Sequence, residues 1–277
     1  MKSTNTDIRS RLCIHTITTR PWAIEEAADH YAKAGVAGIS VWKEALAGRN
    51  AKKVGNMLRN AGLSVVSYVR GGFFAAVSPQ DRRVAIEDNL KMIDEAAELG
   101  APLLVLVCGA VPELPLEESR KQIQEGIATL LPHAQDRRIK LGIEPLHPMY
   151  ADSRSAVNTL KQGNDIVDGL ASDHLGLVLD VYHLWWDPYL KKETIRCGAR
   201  GKLFAFHVCD WKTPTRDLLL DRGLMGEGCI DIRQIRHWVE SAGYDGFIEV
   251  EIFSKKYWAM NQKEFLSMVI EAYQAHV

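Results

Sequence analysis

The feature that most constrains this chain is a regular alternation of two kinds of segment. Short runs of β-branched and apolar residues alternate with longer segments whose apolar residues recur at helical spacing. Near-continuous apolar strands separated by helices are typical of a parallel sheet covered by helices. The chain contains eight such runs, which begin at Leu12, Ala37, Leu63, Pro102, Ile139, Leu175, Leu203 and Gly246.

Eight repeats within 277 residues favour closure of the sheet, because a (β/α)8 barrel needs about 250 residues. We therefore predict an α/β fold, a (β/α)8 TIM barrel in which residues 1–277 form a single domain. The helix-like segments often end in AG or LG, where glycine can adopt the left-handed helix cap. An open, doubly wound sheet is the alternative fold. Against it, the first run is followed by TTRPWAIEE, which lacks the Gly-rich phosphate turn of a dinucleotide-binding sheet.

Charge and composition indicate a small-molecule partner. The formal net charge is −1, which gives no reason to expect nucleic acid or an anionic membrane. The start of the chain, MKSTNTDIRSR, contains no apolar leader, and no apolar run reaches about 18 residues, so we expect a cytoplasmic protein. Its five cysteines are scattered without C-x-x-C pairs, which argues against disulfides and against a Cys-rich zinc site.

Four metal-capable residues lie near the ends of consecutive runs in the second half of the chain: Glu144, Asp180, His207 and Glu251. The carboxyl ends of barrel strands converge on one face, so these side chains are expected to meet. Three carboxylates and one imidazole form a hard, mostly oxygen shell that suits Mn²⁺, Mg²⁺ or Co²⁺. We predict a site for one divalent ion, with Mn²⁺ as the first choice among these three.

Each of the four residues also has an ordinary structural interpretation. Glu144 could cap the following loop, and a histidine such as His207 inside a strand is more often a satisfied core residue. Asp180 is stronger evidence, because a carboxylate among apolar neighbours needs a cation or several donors. Glu249 and Glu251 alternate with apolar residues, so one of the two should reach the site. Corresponding positions on four consecutive strands favour the metal site.

The motifs IEPLHPMY, LDVYH, FHVCDW, MGEGCIDI and IEVEIFS, in this order, resemble the xylose isomerase-like TIM barrel superfamily, also called the sugar phosphate isomerase/epimerase family. The likeness is closest from Leu141 to Ser254. It implies that Glu144, Asp180, His207 and Glu251 hold the ion and that His183 contacts substrate. It also implies an oligomer, either a homodimer or homotetramer or a complex with a second subunit.

The resemblance implies a metal-dependent isomerase or epimerase of a keto-sugar or related polyol that acts through a metal-stabilised enolate. In this interpretation Glu144 and Glu251 also transfer protons. His147, in the loop after the fifth strand, offers a further base with a well-matched pKa, unless it is only a surface histidine.

Several residues near strand ends could shape a sugar pocket. Trp42, Lys43, Arg70 and Trp185 lie at or after the ends of predicted strands. Aromatic faces stack on sugars, and cations bind hydroxyls, carboxylates or phosphates. Arg216 lies in the long loop Asp210–Gly228, where the family often places a substrate-binding arginine. We expect this glycine-containing loop to act as a lid.

The sequence leaves a second function open and argues against a third. A lyase or deglycosidase acting on a 3-keto-glycoside would use the same enolate for β-elimination. An endonuclease IV-like phosphodiesterase would need further histidines after strands two to four, where the chain has Trp42, Arg70 and Cys108, and a basic surface that a charge of −1 does not suggest.

Overall fold

The computed structural model describes residues 8–277 and contains a closed barrel of eight parallel strands. The predicted (β/α)8 fold is therefore confirmed, and the open sheet was the wrong alternative. Residues 1–7, which carry most of the polar start of the chain, lie outside the described residues. Within residues 8–277, no helix has the length and apolar character needed to cross a membrane.

The described part of the chain contains ten strands, of which the two short ones, β8 and β9, form a separate antiparallel pair. Around the barrel the order is β1-β10-β7-β6-β5-β4-β3-β2. The strands are β1 (Leu12–His15), β2 (Gly38–Trp42), β3 (Ser64–Gly72), β4 (Leu103–Val107), β5 (Lys140–Ile143), β6 (Leu175–Asp180), β7 (Leu203–Val208), β8 (Asp210–Trp211), β9 (Arg222–Gly223) and β10 (Ile248–Val250).

Helices cover the outside of the barrel, and three short ones directly follow β2, β6 and the loop after β10. Gly100 and Gly243 follow helices with positive φ angles of 81° and 96°, as the LG and AG endings predicted. The helices are α1 (Ile24–Lys33), α2 (Lys43–Leu46), α3 (Ala51–Asn60), α4 (Pro79–Leu99), α5 (Leu116–Asp136), α6 (Leu160–Leu170), α7 (Val181–Leu184), α8 (Leu190–Gly198), α9 (Ile232–Ser241), α10 (Lys255–Trp258) and α11 (Gln262–His276).

Strand periodicity decides which side chains enter the barrel. Ile248 and Val250 of β10 belong to the large apolar cluster between strands and helices. The alternate residues Glu249 and Glu251 are buried and hydrogen-bond to polar groups inside the barrel. This alternation follows from the period of two in a strand, and it brings both glutamates to the inner face.

Strand register brings the polar side chains to similar depths. Asp180 pairs with His207 between β6 and β7, and His207 lies opposite Glu249 of β10. Glu144 follows the last residue of β5 and Glu251 follows the last residue of β10. The backbone N–H of Glu144 donates to the Leu106 carbonyl, and that of Glu251 donates to the Val208 carbonyl, so both residues remain bonded to the neighbouring strand. The polar groups therefore gather at the carboxyl end of the barrel.

A buried threonine helps to close the barrel between its first and last strands. The Thr18 hydroxyl donates to the Val250 carbonyl and accepts from the Ile252 amide, both at 3.0 Å. Because Ile252 directly follows Glu251, these bonds also hold the backbone that carries a predicted metal ligand.

We expect Thr18→Val to reduce the free energy of unfolding by about 1–3 kcal/mol, because the Ile252 amide would be left buried without a partner. Urea unfolding followed by circular dichroism measures the change. Thr129→Val removes an exposed hydroxyl bonded to its own helix and should have a much smaller effect. Equal stability of wild type and Thr18→Val would contradict this role.

Candidate active site

The four predicted metal ligands meet at the carboxyl end of the barrel. Ligand atoms of Glu144, Asp180, His207 and Glu251 all lie within 4.8 Å of one another, and all four residues are buried. His207 Nδ1 is 3.0 Å from Glu144 Oε1. Residues from four different strand ends thus form one compact cluster, which we call the carboxylate cluster.

Arg222 enters the carboxylate cluster and was not predicted. Its Nη1 atom lies 2.8 Å from Glu251 Oε2 and 3.1 Å from Asp180 Oδ2. The guanidinium is stacked between the rings of Tyr182 and Phe253, at 4.4 and 4.9 Å from their centroids. Arg222 is buried, so the two carboxylates have a desolvated cation beside them.

The loop after β7 explains why this arginine was missed. Its two ends pair as β8 and β9, and this pairing brings Arg222 of β9 back over the barrel. Arg216, the arginine predicted from the same loop, has an exposed side chain and does not line the space beside Glu144 and Glu251. A two-residue strand is too short to show periodicity in the sequence. The position of Arg222, next to a glycine in the long loop after the strand that carries His207, could still have marked it as a candidate site residue.

A second set of polar side chains lies against the carboxylate cluster, inside the barrel. Glu249 Oε2 is 3.1 Å from His15 Nε2 and accepts a hydrogen bond from Ser40 Oγ. The other ring nitrogen, His15 Nδ1, is 3.1 Å from Glu251 Oε1 and also 3.1 Å from Trp42 Nε1. His15 was not predicted, and its only signal is a polar residue that ends an otherwise apolar strand. His15 therefore bridges Glu249, in β10, and Glu251, directly after that strand.

The donor set fits a divalent cation. When His207 is neutral, as a metal ligand must be, Arg222 alone does not neutralise Glu144, Asp180 and Glu251. His207 Nε2 and Glu249 Oε1 are buried, and neither has a hydrogen-bond partner within residues 8–277. Carboxylate oxygens with one imidazole are ligands typical of Mn²⁺, Mg²⁺ and Co²⁺. His15, with His207 and Glu251, forms a second group with metal-ligand spacing.

Electrostatic coupling shifts the pKa values of the cluster in opposite directions. Burial raises the pKa of Asp180 to about 7, although nearby Arg222 opposes this shift. Burial alone would lower the pKa of His207, but Glu249 and Glu144 outweigh it and raise that pKa to about 10. Burial would likewise raise the pKa of Glu251, but His15 and Arg222 hold it below its usual range. The carboxylate of Glu251 therefore stays ionised at neutral pH.

Two of the other predicted residues lie beside the carboxylate cluster. His183 is buried, with Nε2 at 3.2 Å from Arg222 Nη2 and 3.6 Å from Asp180 Oδ2. Burial and the adjacent Arg222 lower its pKa, so the ring is neutral at physiological pH. Trp42 is buried at the end of β2 and bonds to His15. Both residues line the space next to Glu144 and Glu251.

Three predicted residues lie further away. The half-buried His147 ring packs against Trp211, with centroids 5.0 Å apart, and its Nδ1 accepts from the Met149 amide. Trp185 also packs against Trp211, at 5.7 Å. Lys43 is exposed at the start of α2. None of these three lines the space beside the carboxylate cluster, so their roles remain predictions.

The loop over the site is anchored to it by two tyrosines. The hydroxyls of Tyr150 and Tyr182 donate to the Leu218 carbonyl at 2.7 and 3.0 Å. At the base of the loop, Asp210 accepts from the amides of Gly226 and Ile230. These contacts hold the segment that carries Arg222, and the predicted lid motion would have to break the tyrosine bonds.

A family model described as xylose isomerase-like TIM barrel matches residues 28–269. The chain belongs to this family. The recognition made from its motifs is thereby confirmed.

Individual members of the family cover most of the chain. Inosose isomerase of Bacillus velezensis is 25% identical over 211 residues, which cover 74% of this chain and 72% of that protein. The solved structure of a Sinorhizobium meliloti 1021 protein is 42% identical, covers 96% of this chain and 98% of its own, and superposes with a TM-score of 0.93. The IOLI protein, solved with a zinc atom, is 20% identical, with 96% and 99% of the two chains covered and a TM-score of 0.83. Sugar isomerases are thus among the enzymes that this xylose isomerase-like barrel resembles, as its sequence predicted.

We expect the affinity for a divalent ion to rise with pH. Without an ion, His207 is protonated at neutral pH, because its pKa is about 10, and an ion can bind only the neutral ring. Each displaced proton should increase the affinity about tenfold per pH unit. Below pH 7 the dependence should steepen, because Asp180 also holds a proton there. Calorimetric titration with Mn²⁺ over a range of pH measures the affinity. Repeating it in two buffers with different heats of ionisation measures the number of protons released on binding. An affinity independent of pH would contradict both expectations.

We expect Tyr150→Phe combined with Tyr182→Phe to loosen the loop, because each lost bond to Leu218 removes about 1 kcal/mol of local stability. Hydrogen exchange followed by mass spectrometry should show faster exchange in residues 214–221. Tyr189→Phe, which alters a tyrosine exposed on the surface, is the matched control. Unchanged exchange in the double variant would show that these bonds do not restrain the loop.

Proposed function

We propose that this protein is a divalent-metal-dependent isomerase or epimerase of a keto-sugar or related polyol. The observation that carries the proposal is the convergence of Glu144, Asp180, His207 and Glu251 in one buried cluster at the carboxyl end of the barrel. That end is where TIM-barrel enzymes place their active sites. The inosose isomerase relative supports a reaction of this class.

Glu144, Asp180, His207 and Glu251 would hold the ion, for which Mn²⁺ is our first choice and Mg²⁺ or Co²⁺ the alternatives. Once bound, such an ion supplies Lewis-acid chemistry to a carbonyl oxygen and the adjacent hydroxyl of a sugar. The zinc of the IOLI protein belongs to that protein and does not decide which ion this chain uses.

The chain's own residues supply proton transfer and orientation. Glu251 remains ionised, so its carboxylate can accept the proton of the C–H bond next to the sugar carbonyl. Glu144 also lines the substrate space and can return a proton to the resulting enolate. Return to the same carbon from the other face gives epimerisation. Return to the former carbonyl carbon, together with transfer of the neighbouring hydroxyl proton to the enolate oxygen, gives isomerisation.

Arg222 and His183 are the donors best placed to orient the substrate. Both line the same space as the two glutamates. The guanidinium has its position set by Tyr182 and Phe253, so its N–H groups are preorganised for sugar oxygens. Trp42 contributes an apolar wall on which a sugar face can stack. The proposed roles of His147, Lys43, Trp185 and Arg216, an oligomeric state and a cytoplasmic location stay predictions.

We expect the metal-loaded protein to incorporate solvent deuterium into the carbon next to the carbonyl of its substrate. Proton NMR in D₂O with a panel of ketoses and 3-keto-glycosides detects this exchange. Glu251→Gln should slow it by at least about 100-fold, because a general base is lost. Asp180→Asn should also reduce the metal content measured by elemental analysis.

Glu125→Gln, on the outer surface and paired with Arg82, is the matched control and should leave exchange and metal content unchanged. Release of an aglycone would identify the lyase or deglycosidase instead, a reaction that the named isomerase relative does not support. No exchange with any ion, together with unchanged metal content in Asp180→Asn, would refute the proposed function.

A further inference from the structure

A cavity of about 540 Å³ lies outside the carboxylate cluster, and four arginines line it. Of these, Arg70 and Arg154 also line the small space beside Glu144 and Glu251, as does the aromatic wall formed by Trp42. The small space measures only about 30 Å³, too little for a sugar. A substrate at the two glutamates would therefore extend toward Arg70 and Arg154, which line both spaces.

The four arginines, Arg20, Arg49, Arg70 and Arg154, differ in their surroundings. The Arg20 guanidinium packs on the Trp258 ring, 4.9 Å from the centroid, and does not line the small space beside the glutamates. Arg49 forms two hydrogen bonds with Glu25, at 2.9 and 3.1 Å. Arg70 has one loose ion pair, at 3.5 Å from the exposed Glu44, and its buried Nε atom has no hydrogen-bond partner within residues 8–277. Arg154 forms no ion pair with any described residue; instead its guanidinium packs on the Tyr150 ring, 5.4 Å from the centroid. Positive charge is thus unbalanced at Arg70 and Arg154.

These cations also repel one another. Burial lowers the pKa of Arg154, and nearby Arg70 and Arg222 add to that effect. A structural role would be better served by an uncharged side chain, because half-buried like charges destabilise the fold. An anion between the two guanidinium groups would remove the repulsion and accept charge-assisted hydrogen bonds from both.

We propose that the substrate carries a phosphate or carboxylate group, which binds between Arg70 and Arg154 while its keto-sugar part lies against Trp42 and reaches Glu144 and Glu251. This inference rests on the proposed function for the nature of the sugar part. The anion site itself rests only on the two guanidinium groups and the cavity that they share.

Matched ketoses test the proposal, each supplied in neutral form, with a terminal phosphate and with a terminal carboxylate. The kcat/KM for solvent deuterium exchange should favour one anionic form over the neutral sugar by about tenfold or more. The better anionic form identifies the group as phosphate or carboxylate. Arg70→Gln and Arg154→Gln should each reduce the ratio of anionic to neutral kcat/KM by about tenfold. Arg49→Gln is the matched control, since its cation lines the same cavity but is already paired with Glu25, and the ratio should stay unchanged.

Calorimetric titration with inorganic phosphate and with acetate gives a second readout that does not depend on turnover. The combined variant Arg70→Gln, Arg154→Gln should lose the binding that wild type shows. Equal kcat/KM for neutral and anionic sugars would overturn the anion site and leave the proposed function standing. Anion binding that depends on both arginines, without exchange for any sugar, would support the anion site and refute the proposed function.

Discussion

The structure of the active-site region depends on several carboxylates buried at one end of the barrel. Glu144, Asp180, Glu249 and Glu251 lie where water cannot solvate them, and burial of ionised groups is strongly unfavourable unless they are paired. The surrounding architecture supplies that pairing. His15 and His207 contact the glutamates from β1 and β7, and Arg222 reaches Asp180 and Glu251 from above.

Arg222 links this charge balance to the loop after β7. The short β8–β9 pair carries the arginine, the tyrosines hold the loop through Leu218, and Asp210 fastens its base. The same cation therefore neutralises ligands, orients His183 and couples the loop to the carboxylate cluster. A movement of the segment that carries Arg222 would change the electrostatic environment of Asp180 and Glu251. In the proposed function it would thereby affect metal binding and proton transfer.

From the carboxylate cluster outward, the site consists of three regions that differ in chemistry. The carboxylate cluster can hold a cation, the Trp42 wall can stack on a sugar, and the cavity beyond contains the cations Arg70 and Arg154. Negative charge at the bottom and positive charge at the mouth suit a substrate that chelates a cation at one end and carries an anion at the other. Elongated substrates of this kind gain binding energy away from the reacting carbon, which an enzyme can use to position it.

The sequence alone determined the fold and the four members of the carboxylate cluster. Alternating periodicities of two and 3.6 residues are local properties, and parallel strands must end on one face, so Glu144, Asp180, His207 and Glu251 could be placed together without coordinates. Only the tertiary structure decided that Arg222 and not Arg216 joins them, because the two arginines share one loop and differ only in the pairing of β8 with β9. It also brought His15 and Arg154 to the site, which no sequence pattern had singled out, whereas Arg70 could be expected there from its place at the end of the third strand. The neighbours of His15 and Arg154 in the site lie far away along the chain.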